Sequence, residues 1–352
     1  MSIQINSKTF LILIIVVISK AINNTIGTDW SECGDMKCES EKGERCEWCP
    51  IDCGLCEGEE PKLKTTCKPE YCSPPVCHCC DGSIPGGIPS DKAPQFIFLS
   101  IDDHLTEESW RAGIQKMIFS GPRDQAGRRP RITFFLCNYV HTEYSLIKAL
   151  SVNGNEIAGH SFTHATGSGT SKKNWNLEIS TSRDFSERIA GIQNRSIRAF
   201  RAPFFSFNDG MLEALIDQGF LYDSSIVAPP SEVGGSLMWP CTLDFGFPSM
   251  PSKSSLVGRS FPGIWELPMT DIVNAQSSSG YSAMDPPGKH DELLRNLKET
   301  FDLHYKGNKA PLTLGTHGRY LIERPARADY IIEFLKYSTM HPNVFFATGS
   351  VC

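Results

Sequence analysis

From residue 95 onward, apolar runs bounded by turn residues alternate with segments of helical period. Phe96-Ile97-Phe98-Leu99-Ser100-Ile101 predicts a buried strand. Thr106 then caps a helix with Glu107 and Glu108 in its first turn. Ile132–Leu136 predicts a second buried strand, Thr142–Val152 a helix, and Glu156–His160 a strand leading into a loop. A helix is expected over Trp175–Ile192 and a strand over Ile197–Phe200. Asn208-Asp209-Gly210 opens another helix, which Gly219 closes. Leu221–Ile226, Trp265–Met269, Leu312–Thr316 and Val344–Phe346 predict the remaining strands, with helices over Asp291–His304 and Ala326–Tyr337 between the last of them. Such alternation predicts an α/β fold, a parallel sheet or barrel. Residues 228–263, rich in Pro, Ser and Gly, read as one long loop.

The residues before 95 have another character. Lys8 precedes an apolar run, Phe10–Ile18, and Ser19-Lys20-Ala21 supplies small residues, so residues 1–21 read as a signal peptide. The run is far shorter than the roughly 20 residues of a membrane span, and no second candidate exists. The chain holds 14 cysteines, 11 of them between Cys33 and Cys80. Behind an export signal these read as disulfides, in a cysteine-rich module at 29–57 and a lead-in at 58–92. The pairs Cys46/Cys49 and Cys53/Cys56 leave a zinc knuckle as the alternative. Asn23 and Asn194 stand in glycosylation acceptor patterns. The expectation is a secreted glycoprotein whose catalytic domain occupies 93–352. With 352 residues there is room for one large barrel and a small appendage. A net charge of -6 and the lack of a long basic run exclude a nucleic-acid partner. Nothing in the sequence fixes the oligomeric state.

Polar residues fall at the ends of the predicted strands: Asp102 and Asp103, then His160 with His164, then Arg201, Asp223 and His317. An α/β barrel gathers its active site at the C-terminal ends of its strands. Histidines four apart can hold one metal, and a carboxylate from elsewhere would complete a site with an open position. Taken by itself, this spacing more often marks two ordinary histidines than a ligand pair. No Glu follows His160, so the His-Glu-x-x-His protease pattern is absent. Asp103 read by itself could be a cap, Arg201 a structural ion-pair partner and His317 a core histidine. Trp239, Trp265 and Tyr320 could stack on sugar rings or fill the core.

Read together, the segments resemble the carbohydrate esterase family 4 deacetylases, the NodB-homology group, and especially its chitin deacetylases. Ser100-Ile101-Asp102-Asp103 resembles the family's Thr-Phe-Asp-Asp, and His160-Ser161-Phe162-Thr163-His164 matches His-Ser/Thr-x-x-His. Arg201-Ala202-Pro203-Phe204 resembles Arg-x-Pro-Tyr/Phe. Leu221–Ile226, Trp265–Met269 and Gly315-Thr316-His317 are similar to later segments, and the likeness spans about residues 72–350. Two departures stand out: His104 where the family has Gly or Ala, and Ile101 in place of an aromatic.

The resemblance implies a distorted (β/α) barrel of the NodB-homology type behind a small disulfide-rich module. It implies that Asp103, His160 and His164 bind a divalent metal, zinc first among the choices. Asp102 would be the general base and Arg201 its partner. The backbone N–H of Phe204 would help hold the oxyanion, and His317 would protonate the leaving amine. Asp223 would orient His317 or shape the site. The implied activity is hydrolysis of the N-acetyl groups of chitin or a related N-acetylglucosamine polymer. An O-acetyl glycan esterase and an inactive chitin-binding matrix protein are the alternatives, the latter kept open by His104. A non-haem iron oxygenase shares the metal set, but the α/β pattern and Asp102 count against it.

Overall fold

The computed structural model describes residues 40–42, 67–68, 72–138, 142–167, 169–228, 237–247, 259–277 and 279–351. The expected signal peptide, Asn23, nearly all of the cysteine-rich module with its candidate zinc knuckle, and Cys352 lie outside these residues.

Along the described residues the strands are β1 (Gln95–Asp103), β2 (Ile132–Leu136), β3 (Glu156–Gly159), β4 (Ala199–Phe200), β5 (Tyr222–Asp223), β6 (Val227–Ala228), β7 (Cys241–Thr242), β8 (Trp265–Glu266), β9 (Met269–Thr270), β10 (Ile272–Val273), β11 (Tyr281–Ser282), β12 (Leu312–His317) and β13 (Val344–Ala347). The longer helices are α1 (Tyr144–Val152), α2 (Lys172–Ala190), α3 (Asp209–Asp217), α4 (His290–Lys306) and α5 (Arg327–Thr339). The main sheet runs β12-β1-β2-β3-β4-β5-β8-β7, and β13 also pairs with β1. Every pairing in it is parallel except the last, β7 with β8. The sheet curls into a half-barrel, the distorted (β/α) barrel that the resemblance implies.

Successive strand residues point to opposite faces, and the core divides accordingly. Ile97, Leu99, Ile101, Phe134, Ile157 and Phe200 join the large cluster shared with the helices, whose members include Trp175, Leu212 and Phe301. Their neighbours Phe98, Phe135, Ala158, Ala199 and Tyr222 form a smaller cluster that contains no helix residue. That second face is the concave one. Ser100 and Asp102 alternate with Phe98 and so share it.

The helix after β1 starts with a full capping box: Thr106 accepts from Ser109 N at 3.0 Å, and Thr106 N donates to Ser109 Oγ at 3.0 Å. It is broken by a π turn at Trp110–Ile114, where the pattern predicted a plain helix. Trp265–Met269 is likewise two short strands, because Pro268 cannot donate to a ladder.

Two expectations need correction. Residues 228–263 are more than a loop, since β7 lies within them and extends the main sheet; residues 229–236 and 248–258 are outside the described part. The lead-in is also no mere linker. Cys67–Cys79 and Cys72–Cys77 knot it locally, and Cys80–Cys241 ties it to β7 across 161 residues. Thr242 N donates to His78 O at 2.9 Å, so backbone pairing reinforces that tie.

Candidate active site

β1 delivers two adjacent carboxylates, which alternation would send to opposite faces. Asp103 has φ 78°, a left-handed conformation, and this turn brings its carboxylate back to the concave face. Both acids therefore serve one site. Ser161, His164, Phe204, Phe205 and Asp285 also have positive φ, so backbone strain is concentrated around the same place.

Asp102 is held by Arg201. Arg201 Nη1 donates to Asp102 Oδ1 at 2.6 Å and to Ser100 Oγ at 2.9 Å. Its Nε and Nη2 donate to Ser224 O and Ser224 Oγ, each at 3.0 Å. The guanidinium also lies over the Phe135 ring, 4.0 Å from its centroid. Arg201 is 1% exposed, and every face of it is engaged. It is a rigid holder for Asp102.

Asp103 faces the histidines. His160 Nδ1 donates to Arg201 O at 2.8 Å, which leaves Nε2 as the acceptor nitrogen turned toward Asp103. His160 Nε2 is 3.5 Å and His164 Nε2 3.0 Å from Asp103 Oδ1. That oxygen is buried, yet among the described residues it makes no hydrogen bond. Burial pushes the Asp103 carboxyl up, but His160, His164 and the charge of His317 outweigh it and hold it well below the usual range. Two imidazole nitrogens and an ionised oxygen thus converge within 4.8 Å of one another. The orphaned oxygen and the two-nitrogen, one-oxygen donor set fit a divalent cation such as zinc. Glu178 of α2 steadies the histidine loop, accepting from Phe162 N at 2.9 Å, Thr163 N at 2.8 Å and Thr163 Oγ1 at 2.7 Å.

His317 closes the opposite wall from the end of β12, with Nε2 3.8 Å from Asp103 Oδ2. Its partner is Asp285, whose Oδ2 accepts from Nδ1 at 2.5 Å and whose Oδ1 accepts from His317 N at 3.0 Å. Burial alone would lower the pKa of His317. The hydrogen bond and charge of Asp285, with the charges of Asp102 and Asp103, raise it to about 9. Sequence reasoning missed Asp285.

Asp223 was expected to orient His317 or shape the site. It lies on β5 next to Tyr222, a member of the concave cluster, so its own side chain points the other way. It contacts Ser225 and Glu266, and Asp285 fills the place beside His317. Phe204 sits in a turn at the site mouth, 68% exposed, its ring edge-on to that of His164 with the centroids 4.6 Å apart. Trp239 and Tyr320 are buried, with Trp239 Nε1 bonded to Asn308 O and Tyr320 OH to Pro286 O, so both belong to the core. Trp265 packs beside the concave cluster. His104 is half-buried. Asn194 stands exposed in the turn between α2 and β4.

A model of the polysaccharide deacetylase family matches residues 127–222, which hold His160, His164 and Arg201. Chitin deacetylase 1 of Bombyx mori is 28% identical over 349 residues, covering 90% of this chain and 62% of that protein. The chain thus spans less than two thirds of that relative. Chitin deacetylase 8 of Bombyx mori is 27% identical over 312 residues, covering 83% of this chain and 78% of that protein. Among solved structures, a Mycobacterium smegmatis protein with a provisional polysaccharide deacetylase name superposes with a TM-score of 0.52 at 18% identity, covering 78% of this chain and 93% of its own. Puue allantoinase gives 0.50 at 16%, covering 73% and 89%. At these identities the structures speak for the fold alone. The sequence matches add that residues 127–222 match the polysaccharide deacetylase family and that most of the chain is similar to chitin deacetylases.

Proposed function

We propose that this chain is a secreted, metal-dependent deacetylase that hydrolyses N-acetyl groups of chitin or another N-acetylglucosamine polymer. One observation carries the reading. Adjacent carboxylates have opposite partners, Asp102 a buried arginine and Asp103 two histidines, with an acid-supported histidine facing them. Hydrolysis of an amide asks for that division of labour.

Asp103, His160 and His164 would hold the cation, most naturally zinc. When bound, such an ion supplies a Lewis acid that polarises the acetyl carbonyl and acidifies water. Asp102, fixed by Arg201, takes the proton from the attacking water. The backbone N–H of Phe204, in the turn against His164, donates to the developing oxyanion. His317 gives its proton from Nε2 to the leaving nitrogen, while Asp285 holds Nδ1 and stabilises the imidazolium. Disulfides through the lead-in and the leader-like start agree with export.

An O-acetyl ester would fit the same groups. The strong support of His317 favours an amide, because an amine leaves as a poor anion and needs its proton more than an alcohol does. The test is parallel acetate release from chitin oligomers and acetylxylan. Faster release from the chitin oligomers supports the reading. Release from acetylxylan alone makes the protein an esterase. Chitin binding without release from either makes it a matrix protein.

A further inference from the structure

Asp223 and Glu266 are register partners on β5 and β8, and both are wholly buried. Each carboxyl has one oxygen with a protein donor. Asp223 Oδ1 accepts from Ser225 Oγ at 2.7 Å, and Glu266 Oε1 accepts from Ile226 N at 2.9 Å. The remaining oxygens, Asp223 Oδ2 and Glu266 Oε2, are buried and lack a donor. Register pairing on parallel strands sets the two side chains next to one another, and burial pushes both carboxyls up. Arg201 is the charged group that influences both, and its Nη1 is already committed to Asp102. Two neighbouring buried carboxylates cannot both stay ionised at modest cost. A single proton between them turns two orphaned acceptors into one hydrogen bond.

What this pair grips is the turn Ser224-Ser225-Ile226. Ser224 offers its carbonyl and hydroxyl to Arg201, and its hydroxyl donates to Leu267 O at 2.7 Å. Ser225 Oγ accepts from Ala202 N at 2.8 Å, at the start of the turn that presents Phe204. Ile226 N is bound by Glu266 itself. The pair therefore stands behind both the holder of Asp102 and the segment that carries the Phe204 N–H.

We propose that Asp223 and Glu266 share one proton and act as positioning residues, locking the 224–226 turn that sets Arg201 and the Ala202–Phe204 segment. The kinetic consequence rests on the deacetylase reading; the shared proton does not.

The test compares wild type with Glu266→Gln and Glu266→Leu. A glutamine keeps an oxygen for Ile226 N and offers an N–H to Asp223, so kcat should stay within about threefold of wild type. Leucine removes both contacts, and kcat of the folded enzyme should fall more than tenfold with KM and metal content unchanged. Infrared spectra at pH 7 should show a protonated carboxyl band that disappears in Glu266→Gln. The proposal is overturned if Glu266→Gln is as impaired as Glu266→Leu, if Glu266→Leu lowers only the melting temperature, or if the band is missing in wild type. The infrared comparison needs no acetate release and no Glu266→Leu protein, so it stands where the activity reading fails or that variant does not fold.

Discussion

Arg201 Nη1 meets Asp102 Oδ1 at 2.6 Å, with the two side chains 1% and 2% exposed. Removing one member of a buried ion pair strands the other and costs about 3–5 kcal/mol. Arg201→Ala should therefore lose about that much stability in urea unfolding. Asp102→Asn keeps an acceptor oxygen and the serine contacts of Arg201, so its loss should be smaller. Its kcat should nevertheless fall about 100-fold or more, since no base remains.

The His317–Asp285 contact sets an alkaline limit. With a pKa raised to about 9, His317 carries its proton below that pH and loses it as pH rises through it. A general acid works in the protonated form, so kcat should decline on the alkaline side. Asp285→Asn removes the largest contribution that raises the pKa, so the decline should move to lower pH. A pH profile of kcat for both proteins checks this.

Glu178 touches no proposed ligand atom, yet it receives three hydrogen bonds from the loop between His160 and His164. Supporting groups of this kind change metal affinity by about 10–100-fold. Glu178→Ala should weaken zinc binding by at least about tenfold in a competition titration with a chromogenic chelator. Asp103→Asn, which alters a ligand, should lose more.

Glu156 lies at the opposite end of β3, where its Oε2 accepts from Thr133 Oγ1 at 2.8 Å, Tyr222 OH at 2.9 Å and Gly349 N at 3.0 Å. Burial pushes its pKa up in spite of these donors. A carboxyl raised on folding binds more protons in the native state than in the unfolded one. Its contribution to stability is therefore full below the unfolded value, about 4.3, and falls as pH rises above it. The urea midpoint of wild type should drop between pH 4.5 and 7 by more than that of Glu156→Gln.

The long apolar strands were legible because burial on both faces leaves an unmistakable run, as in Ile132–Leu136, where all five residues are buried. β4, β5, β7 and β8 span two residues each, too short for any period to show. The motif residues were legible because strand ends carry them. Asp285 was not. It sits in Met284-Asp285-Pro286-Pro287, a turn with no periodicity, and reaches His317 across 32 residues. An Asp before two prolines was the available hint. Asp223 could have been placed by alternation, since apolar Tyr222 takes the concave face and leaves its neighbour the other.

The central claim is that this site hydrolyses acetamides with a bound cation and Asp102 as base. The direct measurement is acetate release from chitin oligomers by the purified protein, as isolated, after chelation, after zinc is returned, and as Asp102→Asn. The account predicts release that chelation abolishes, zinc restores and Asp102→Asn lacks. Release that survives both chelation and Asp102→Asn, or no release in the presence of zinc, would contradict it.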